Sequence, residues 1–146
     1  MRNLTREAVI DNVLNRNAGT SATSILTDII DMQGFDGLAL IALISSTAPA
    51  SADLTVTLLH GDSSTAMVAT DVNVTGNALA GDRKQLQIDI VGPLKRYMQG
   101  RLNPDGTDAC PISSVVAIKY NAAFEAVKQS TVNVVATTFA VNPSST

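Results

Sequence analysis

Few residues in this chain could do acid–base or nucleophilic chemistry. There is one His, His60, one Cys, Cys110, and no Trp. His60 is followed by Gly61-Asp62, but residues adjacent in sequence do not make a His–carboxylate relay that serves a nucleophile. There is also no second His to share the work. We therefore interpret His60 as part of a turn that runs through Gly61, Asp62, Ser63 and Ser64.

The remaining candidates favour structural roles. Cys110, between Asp108 and Pro111, is predicted to be a small, semi-buried residue at a loop end, since no His lies near it in sequence to activate the thiol. Residues 103–108 have some similarity to a calcium loop but lack its regular Asp spacing and its bidentate Glu. An Asp-Gly turn is the first interpretation there, and a weak structural cation stays open as the alternative.

Phosphate-binding loops and the nucleophile elbow are missing from the sequence. We therefore expect no enzyme: no catalytic residue, no bound cofactor and no dedicated metal site. A sugar-binding module is the main binding alternative, because β-sandwich domains often carry lectin sites. Such a site needs an exposed ring on which a sugar can stack, and Phe35 and Tyr97 are the candidates.

Charge and hydropathy exclude two further classes of partner. The net charge is −3, and the two basic pairs, Arg83-Lys84 and Lys95-Arg96, are short, so we expect no nucleic-acid binding. The most apolar run, 38–44, is too short to cross a bilayer as a helix. Residues 1–7 lack the continuous apolar stretch of a secretory signal. We expect a soluble protein that is made in a cytoplasm and binds no membrane.

The core must be built from small aliphatic side chains, because aromatic residues make up only 3% of the 146 residues. A chain of this length typically forms one domain. A core of Val, Ile, Leu, Ala and Met is shallow, and such a domain often gains stability by burying a further face against another copy of itself. Composition therefore gives a first indication of assembly.

The hydrophobic period changes near residue 20. Residues 5–16 are predicted to form a short helix, with Thr5 as its N-cap and an apolar stripe through Val9, Ile10, Val13 and Leu14. From Thr20 onward the pattern alternates as in β-strands. The clearest predicted strands cover 37–45, 54–59, 67–74, 85–90, 94–102, 112–120 and 131–141. Their number and spacing predict an all-β fold: an antiparallel β-sandwich, jelly-roll-like, with a short N-terminal α-helix.

We divide the chain into an N-terminal helix or arm (1–17), a β-sandwich (18–128) and a C-terminal strand with its tail (129–146), within a single domain overall. Both terminal segments lie outside the sandwich-like centre of the sequence and yet are apolar.

Three short motifs occur in a recognisable order. They are Met32-Gln-Gly-Phe-Asp-Gly-Leu-Ala-Leu40, then Leu54-Thr-Val-Thr-Leu-Leu-His-Gly-Asp-Ser-Ser64, then Gly92-Pro-Leu-Lys-Arg-Tyr-Met98. Together with the Ser/Thr/Ala-rich residues 18–24, they resemble small virion proteins encoded in the head-gene region of tailed bacteriophages. The resemblance covers roughly residues 18–120. It implies a capsid accessory protein that coats or cements the shell as a symmetric oligomer, without catalysis.

The residues and the resemblance lead to one expectation of function. We expect a structural virion protein that decorates or stabilises a bacteriophage capsid and is assembled in the bacterial host cytoplasm. Its partners would be itself, as a homo-oligomer and first of all a trimer, and the major capsid protein. The alternatives are a neck or tail structural protein and a carbohydrate-binding sandwich. The predicted interface residues are Leu4, Val9, Val13, Leu14, Val132, Val134, Phe139 and Val141.

Overall fold

The computed structural model describes residues 8–17, 19, 23–49, 51–78, 84–93, 95–104, 108–120 and 134–141, with the backbone alone at 77–78 and 134–141. Every regular element in this part of the chain is a β-strand. The strands are β1 (Ala8–Leu14), β2 (Ile25–Leu26), β3 (Ile30–Asp31), β4 (Gly37–Ile44), β5 (Ala52–Gly61), β6 (Val68–Ala78), β7 (Lys84–Val91), β8 (Tyr97–Pro104), β9 (Ile112–Tyr120) and β10 (Val134–Val141).

The strands form two sheets that pack face to face, which confirms the predicted all-β sandwich. Sheet A has the order β1-β9-β4-β7-β10. Sheet B has the order β2-β8-β5-β6, and β3 also pairs with β8. All pairs but one are antiparallel; β10 runs parallel to β7, with Thr138 opposite Ile88. The predicted antiparallel arrangement holds for every other described pair, and this edge departs from it.

The predicted N-terminal helix is not present in the described residues. Residues 1–7 lie outside them, and residues 8–14 are strand β1, which pairs antiparallel with β9. The β-branched Val9, Ile10 and Val13 favour an extended backbone, and β9 offers them an open ladder to join. The helical spacing of the apolar residues misled the prediction because the register of β1 shifts between Asn12 and Leu14, at Val13.

The core lies between the sheets and is aliphatic, as composition predicts. Alternate residues of β4, β5, β7 and β8 point inward and are almost fully buried: Leu38, Leu40, Leu54, Val56, Leu58, Leu86, Ile88, Ile90, Met98 and Leu102. At Gly100 the two sheets approach so closely that a Cβ would lie 2.8 Å from Cδ2 of Leu40. The intervening residues of β4, such as Ile41, are only partly buried, so this strand is not covered on both faces as its sequence predicts.

One side of the sandwich is closed by the link between β2 and β3. The backbone N–H of Thr27 donates to Gly100 O (2.9 Å), and the hydroxyl of Thr27 accepts from Gly100 N–H (2.9 Å). One residue on, the N–H of Asp28 donates to Val13 O on β1, at 2.8 Å. The link therefore ties sheet B to the edge of sheet A.

The outward face of sheet A carries a tyrosine that spans three strands. Tyr120 at the end of β9 lies across Gly37 of β4, and its hydroxyl donates to the carboxylate of Asp89 on β7. A Cβ on Gly37 would overlap the Tyr120 ring, which explains why a glycine stands at this point of the strand.

Candidate interaction surface

Exposed apolar side chains are concentrated on one edge of the sandwich. Five large aliphatic residues of the described chain are exposed by more than a third. Four of them are Val9 (39%), Ile10 (52%), Leu26 (51%) and Ile29 (41%). We call these four residues the β1 edge patch. The fifth, Val68 (49%), lies on β6 at the far side of sheet B.

One backbone hydrogen bond, from Asp28 to Val13, links the two segments that carry the four residues. Val9 and Ile10 belong to β1, which ends the described path of sheet A, while Leu26 and Ile29 flank the link that ties to Val13. Because the hydrogen bond from Asp28 to Val13 joins the two segments, residues 26–29 lie directly beside β1. The patch therefore runs along the seam where the edges of the two sheets meet.

The charges beside the patch are neutralised locally. The ammonium of Lys119 lies 3.5 Å from Oδ2 of Asp11 and 3.4 Å from the backbone oxygen of Asp31, and it also lies 5.0 Å from the centre of the Phe35 ring. The side chain of Lys119 is only 15% exposed, so its charge is compensated by these partners within the edge of the sandwich. The patch can thus meet an apolar surface without leaving Lys119 unpaired.

The predicted interface residues are distributed unevenly over the structure. Val9 lies in the β1 edge patch, whereas Val13 is only 5% exposed and Leu14 packs against the core of its own subunit. Leu4 and Val132 lie outside the described residues. Val134, Phe139 and Val141 belong to β10, where the description covers the backbone and not the side chains. The role of all eight in contacts between copies stays a prediction.

The sequence analysis missed Leu26 and Ile29. A signal was present: Ile29 and Ile30 are adjacent, and in a strand adjacent side chains point to opposite faces. Ile30 is 3% exposed and fills the inward position, so Ile29 is directed outward. By the same alternation Ile25 packs against the core while Leu26 is 51% exposed.

His60 is a strand residue rather than a turn residue. It lies near the end of β5, opposite Met98 of β8, and is 2% exposed. Burial is the main cause that lowers the pKa of His60; the nearby Lys95 lowers it further, while Asp62 and Asp71 oppose the shift. The lowered pKa favours the neutral imidazole, which is buried at this end of β5.

Cys110 is buried, and the acidic residues of the described chain form no metal-ligand cluster. Cys110 precedes β9, at a loop end as predicted, but it is fully buried rather than semi-buried, and burial raises the pKa of its thiol to about 11. Residues 105–107 lie outside the described part, so the predicted alternative of an ion at 103–108 is untested; Asp108 accepts a hydrogen bond from Ser51. Nowhere among the described residues do three His, Cys, Asp or Glu side chains converge as metal ligands would.

The two rings considered for sugar stacking are each covered on one face by a cation. Lys119 lies over Phe35, and Arg96 lies 5.0 Å from the centre of the Tyr97 ring. Arg96 also makes two hydrogen bonds to Asp31, at 2.8 and 3.0 Å, and these lower the pKa of that carboxyl to about 2. A shallow cleft of about 360 Å³ lies beside them, lined by Met32, Gln33, Phe35, Pro93, Lys95 and Arg96.

The described residues contain no helix long and apolar enough to span a membrane. At the level of sequence, neither a known protein family nor a curated protein matches the chain.

Comparison with solved structures finds similarity of fold. The PBSX exported protein XepA matches 89% of this chain and 42% of its own at 16% identity, with a TM-score of 0.50. A protein of the T13 IBDV viral particle matches 79% of this chain and 31% of its own at 11% identity, with a TM-score of 0.52. A carbohydrate-binding module, CBM4, matches 76% of this chain and 66% of its own at 11% identity, with a TM-score of 0.43. The chain spans less than half the length of the first two proteins.

Proposed function

We propose that this chain is a structural protein of a bacteriophage particle, which decorates or stabilises the capsid through contacts with copies of itself and with the major capsid protein. The observation that carries the proposal is the β1 edge patch. Exposed aliphatic side chains are normally scattered singly over a protein surface, and their concentration marks a contact surface. A protein that works by contact needs such an edge, and it needs no catalytic group.

The fold supports the same proposal. The paths β1-β9-β4-β7 and β2-β8-β5-β6 have the strand order of a jelly roll, an architecture used by viral capsid domains and also by lectin domains. The similarity in fold to the PBSX exported protein XepA and to a protein of the IBDV viral particle agrees with a role in a virion. The head-gene resemblance narrows that role to the capsid, with the neck or tail as the alternative location.

The carbohydrate-binding alternative has less support from the site. A ring that stacks on a sugar must present an open face, and the cations over Phe35 and Tyr97 already occupy one face of each ring. Retention on a glycan column is therefore kept as an outcome of the test and not as a second proposal.

The test measures mass and capsid binding together. Size-exclusion chromatography with light scattering should give a homo-oligomer, and the protein should co-sediment with capsids assembled from the major capsid protein of the same phage. Leu26→Asp/Ile29→Asp should reduce oligomerisation or co-sedimentation at least tenfold, while Val68→Asp, at a matched exposed position, should not. A monomer that ignores capsids and binds a glycan column would contradict the proposal.

Point substitutions are the sharper test than truncation here. Removing residues 1–16 or 129–146 deletes β1 or β10, and both are hydrogen-bonded strands of sheet A. A truncated chain would lose assembly through misfolding as readily as through a lost contact. The exposed side chains of the β1 edge patch can be changed without that loss.

A further inference from the structure

We infer that copies of this chain join by edge pairing, in which β1 of one copy adds to β10 of the next copy and continues sheet A across the contact. This inference rests on the proposed function for the homo-oligomer and identifies the strands that form it. It begins from the order of sheet A, in which β1 and β10 are the two terminal strands of the described path.

A terminal strand exposes backbone N–H and C=O groups that can pair with another chain. Soluble proteins protect such edges with charges or with Pro. β10 has the sequence Val-Val-Ala-Thr-Thr-Phe-Ala-Val, which contains neither and consists largely of residues that favour strands. An edge of this composition is an aggregation hazard unless a partner strand covers it.

Strand directions make β1 a suitable partner. β1 is antiparallel to β9, β9 and β7 are both antiparallel to β4, and β10 is parallel to β7. It follows that β1 and β10 run in opposite directions. If a second copy extends sheet A with the same face inward, its β1 meets β10 as an antiparallel pair, the arrangement that is slightly more stable per residue.

Charge makes the symmetric alternative, in which β1 pairs with β1 of a second copy, the less favourable one. That contact would bring two Asp11 side chains to the same ladder, and Asp11 is 48% exposed at its side chain. Like charges that face each other across a ladder destabilise it. The uncharged β10 instead gives Val9 and Ile10 an apolar neighbour and leaves the Asp11–Lys119 pair undisturbed.

The resulting contact is heterologous, because two different edges of the chain meet. Such contacts close into rings when the rotation between copies permits and otherwise give open filaments. A ring uses both edges of every copy and leaves no strand edge of sheet A open. The trimer expected from the sequence is one such ring.

Cysteine pairs test the pairing directly. Within one copy β1 and β10 are separated by four strand spacings, roughly 19 Å, beyond the reach of a short bismaleimide. Ile10→Cys/Thr137→Cys or Ile10→Cys/Thr138→Cys should therefore cross-link between copies into a ladder that ends at the ring size. The single variants should not cross-link, and the native Cys110 is buried. Cross-linking of Ile10→Cys alone would show β1–β1 pairing and overturn the inference.

A charged edge gives the second measurement. Ile10→Lys should convert the oligomer to a folded monomer, because Ile10 is already 52% exposed within its own copy. Its melting temperature should match that of wild-type protein diluted until the oligomer dissociates. Val68→Lys, which changes a 49% exposed position on another edge strand, should leave the oligomer intact. If Ile10→Lys keeps its mass and the double-cysteine chains stay uncross-linked while wild-type protein still binds capsids, the edge pairing is wrong and the proposed function stands. A cross-linked ring that does not bind capsids would support the edge pairing and contradict the proposed function.

Discussion

The contact of Tyr120 with Gly37 and Asp89 allows a stability change to be worked out in advance. In Gly37→Ala the new methyl group would overlap the Tyr120 ring and would lie 2.8 Å from its Cδ2 atom. The ring must move, and its hydroxyl then loses the carboxylate of Asp89. A hydrogen bond to a charged group is worth about 1.5–3 kcal/mol, whereas replacing Gly by Ala within a strand gains about 0.5–1 kcal/mol. The net expectation is a loss of about 1–2 kcal/mol.

The loss should depend on pH. Burial is the main cause that raises the pKa of Asp89, and the hydrogen bond from Tyr120 opposes it. Without that bond the pKa of Asp89 rises further, so the ionised form becomes costlier in the folded protein. The cost of Gly37→Ala is therefore largest at neutral pH and shrinks as the pH falls below the raised pKa and the folded protein takes up the proton.

Urea unfolding at neutral and acidic pH measures this directly, and at this chain length the neutral-pH loss corresponds to a fall in melting temperature of about 2–8 °C. Tyr120→Phe removes the same hydrogen bond without moving the ring. The double variant Gly37→Ala/Tyr120→Phe should therefore cost clearly less than the sum of the two single changes. Strictly additive costs, or a Gly37→Ala protein as stable as wild type at neutral pH, would refute the reasoning.

Three further outcomes are expected. Burial lowers the pKa of His60, so the folded protein has its full stability above the ordinary histidine pKa of 6.5 and loses stability as the pH falls below that value. In His60→Gln the urea midpoint of unfolding should therefore depend less on pH in this range. The same dependence of the midpoint on pH as in wild type would contradict the assignment. Cys110 is fully buried and burial raises its pKa to about 11, so its reaction with a thiol reagent at pH 8 should be no faster than unfolding of the protein. Rapid labelling of the native protein would count against this. Leu40→Ala should lose about 2–5 kcal/mol in urea titration, because Leu40 is 1% exposed where the two sheets are closest; a loss below 1 kcal/mol would indicate that the sheets collapse to fill the space.

The strands in the middle of the chain were predictable because their periodicity and their burial agree. In β7, Leu86, Ile88 and Ile90 alternate with polar residues, and all three are inward and buried. In β9 the β-branched residues gave the bounds 112–120, as observed. For such strands the local alternation of apolar and polar residues already predicts which side chains are buried.

The edges of the fold were not predictable in the same way. β1 was predicted as a helix because an edge strand with a register shift can imitate helical spacing, and only the ladder with β9 decides between them. The parallel pairing of β10 depends on how the chain crosses the sheet, which no local pattern encodes. His60 was predicted in a turn because the glycine that follows it is typical of the end of a strand, although β5 continues through Gly61.

The exposed edge residues were predicted only in part for a related reason. Exposure depends on which sheet edge a residue occupies, and not on its hydropathy. Val9 was predicted as part of an interface and is exposed, whereas the equally apolar Val13 is buried by the link at Asp28. Ile29 was overlooked because a neighbouring Ile fills the core.

The interleaved strand order also has a consequence for synthesis on the ribosome. In sheet B the central β8 separates β2 and β3 from β5, and in sheet A β9 separates β1 from β4. A nascent chain that has emerged only as far as β7 therefore holds strands whose ladder neighbours have not yet been made. Sheet B cannot be completed until β8 has left the exit tunnel, and sheet A must wait for β9 and β10. The apolar faces of the earlier strands stay exposed until then, so acquisition of the native state is expected to be late, slow and cooperative.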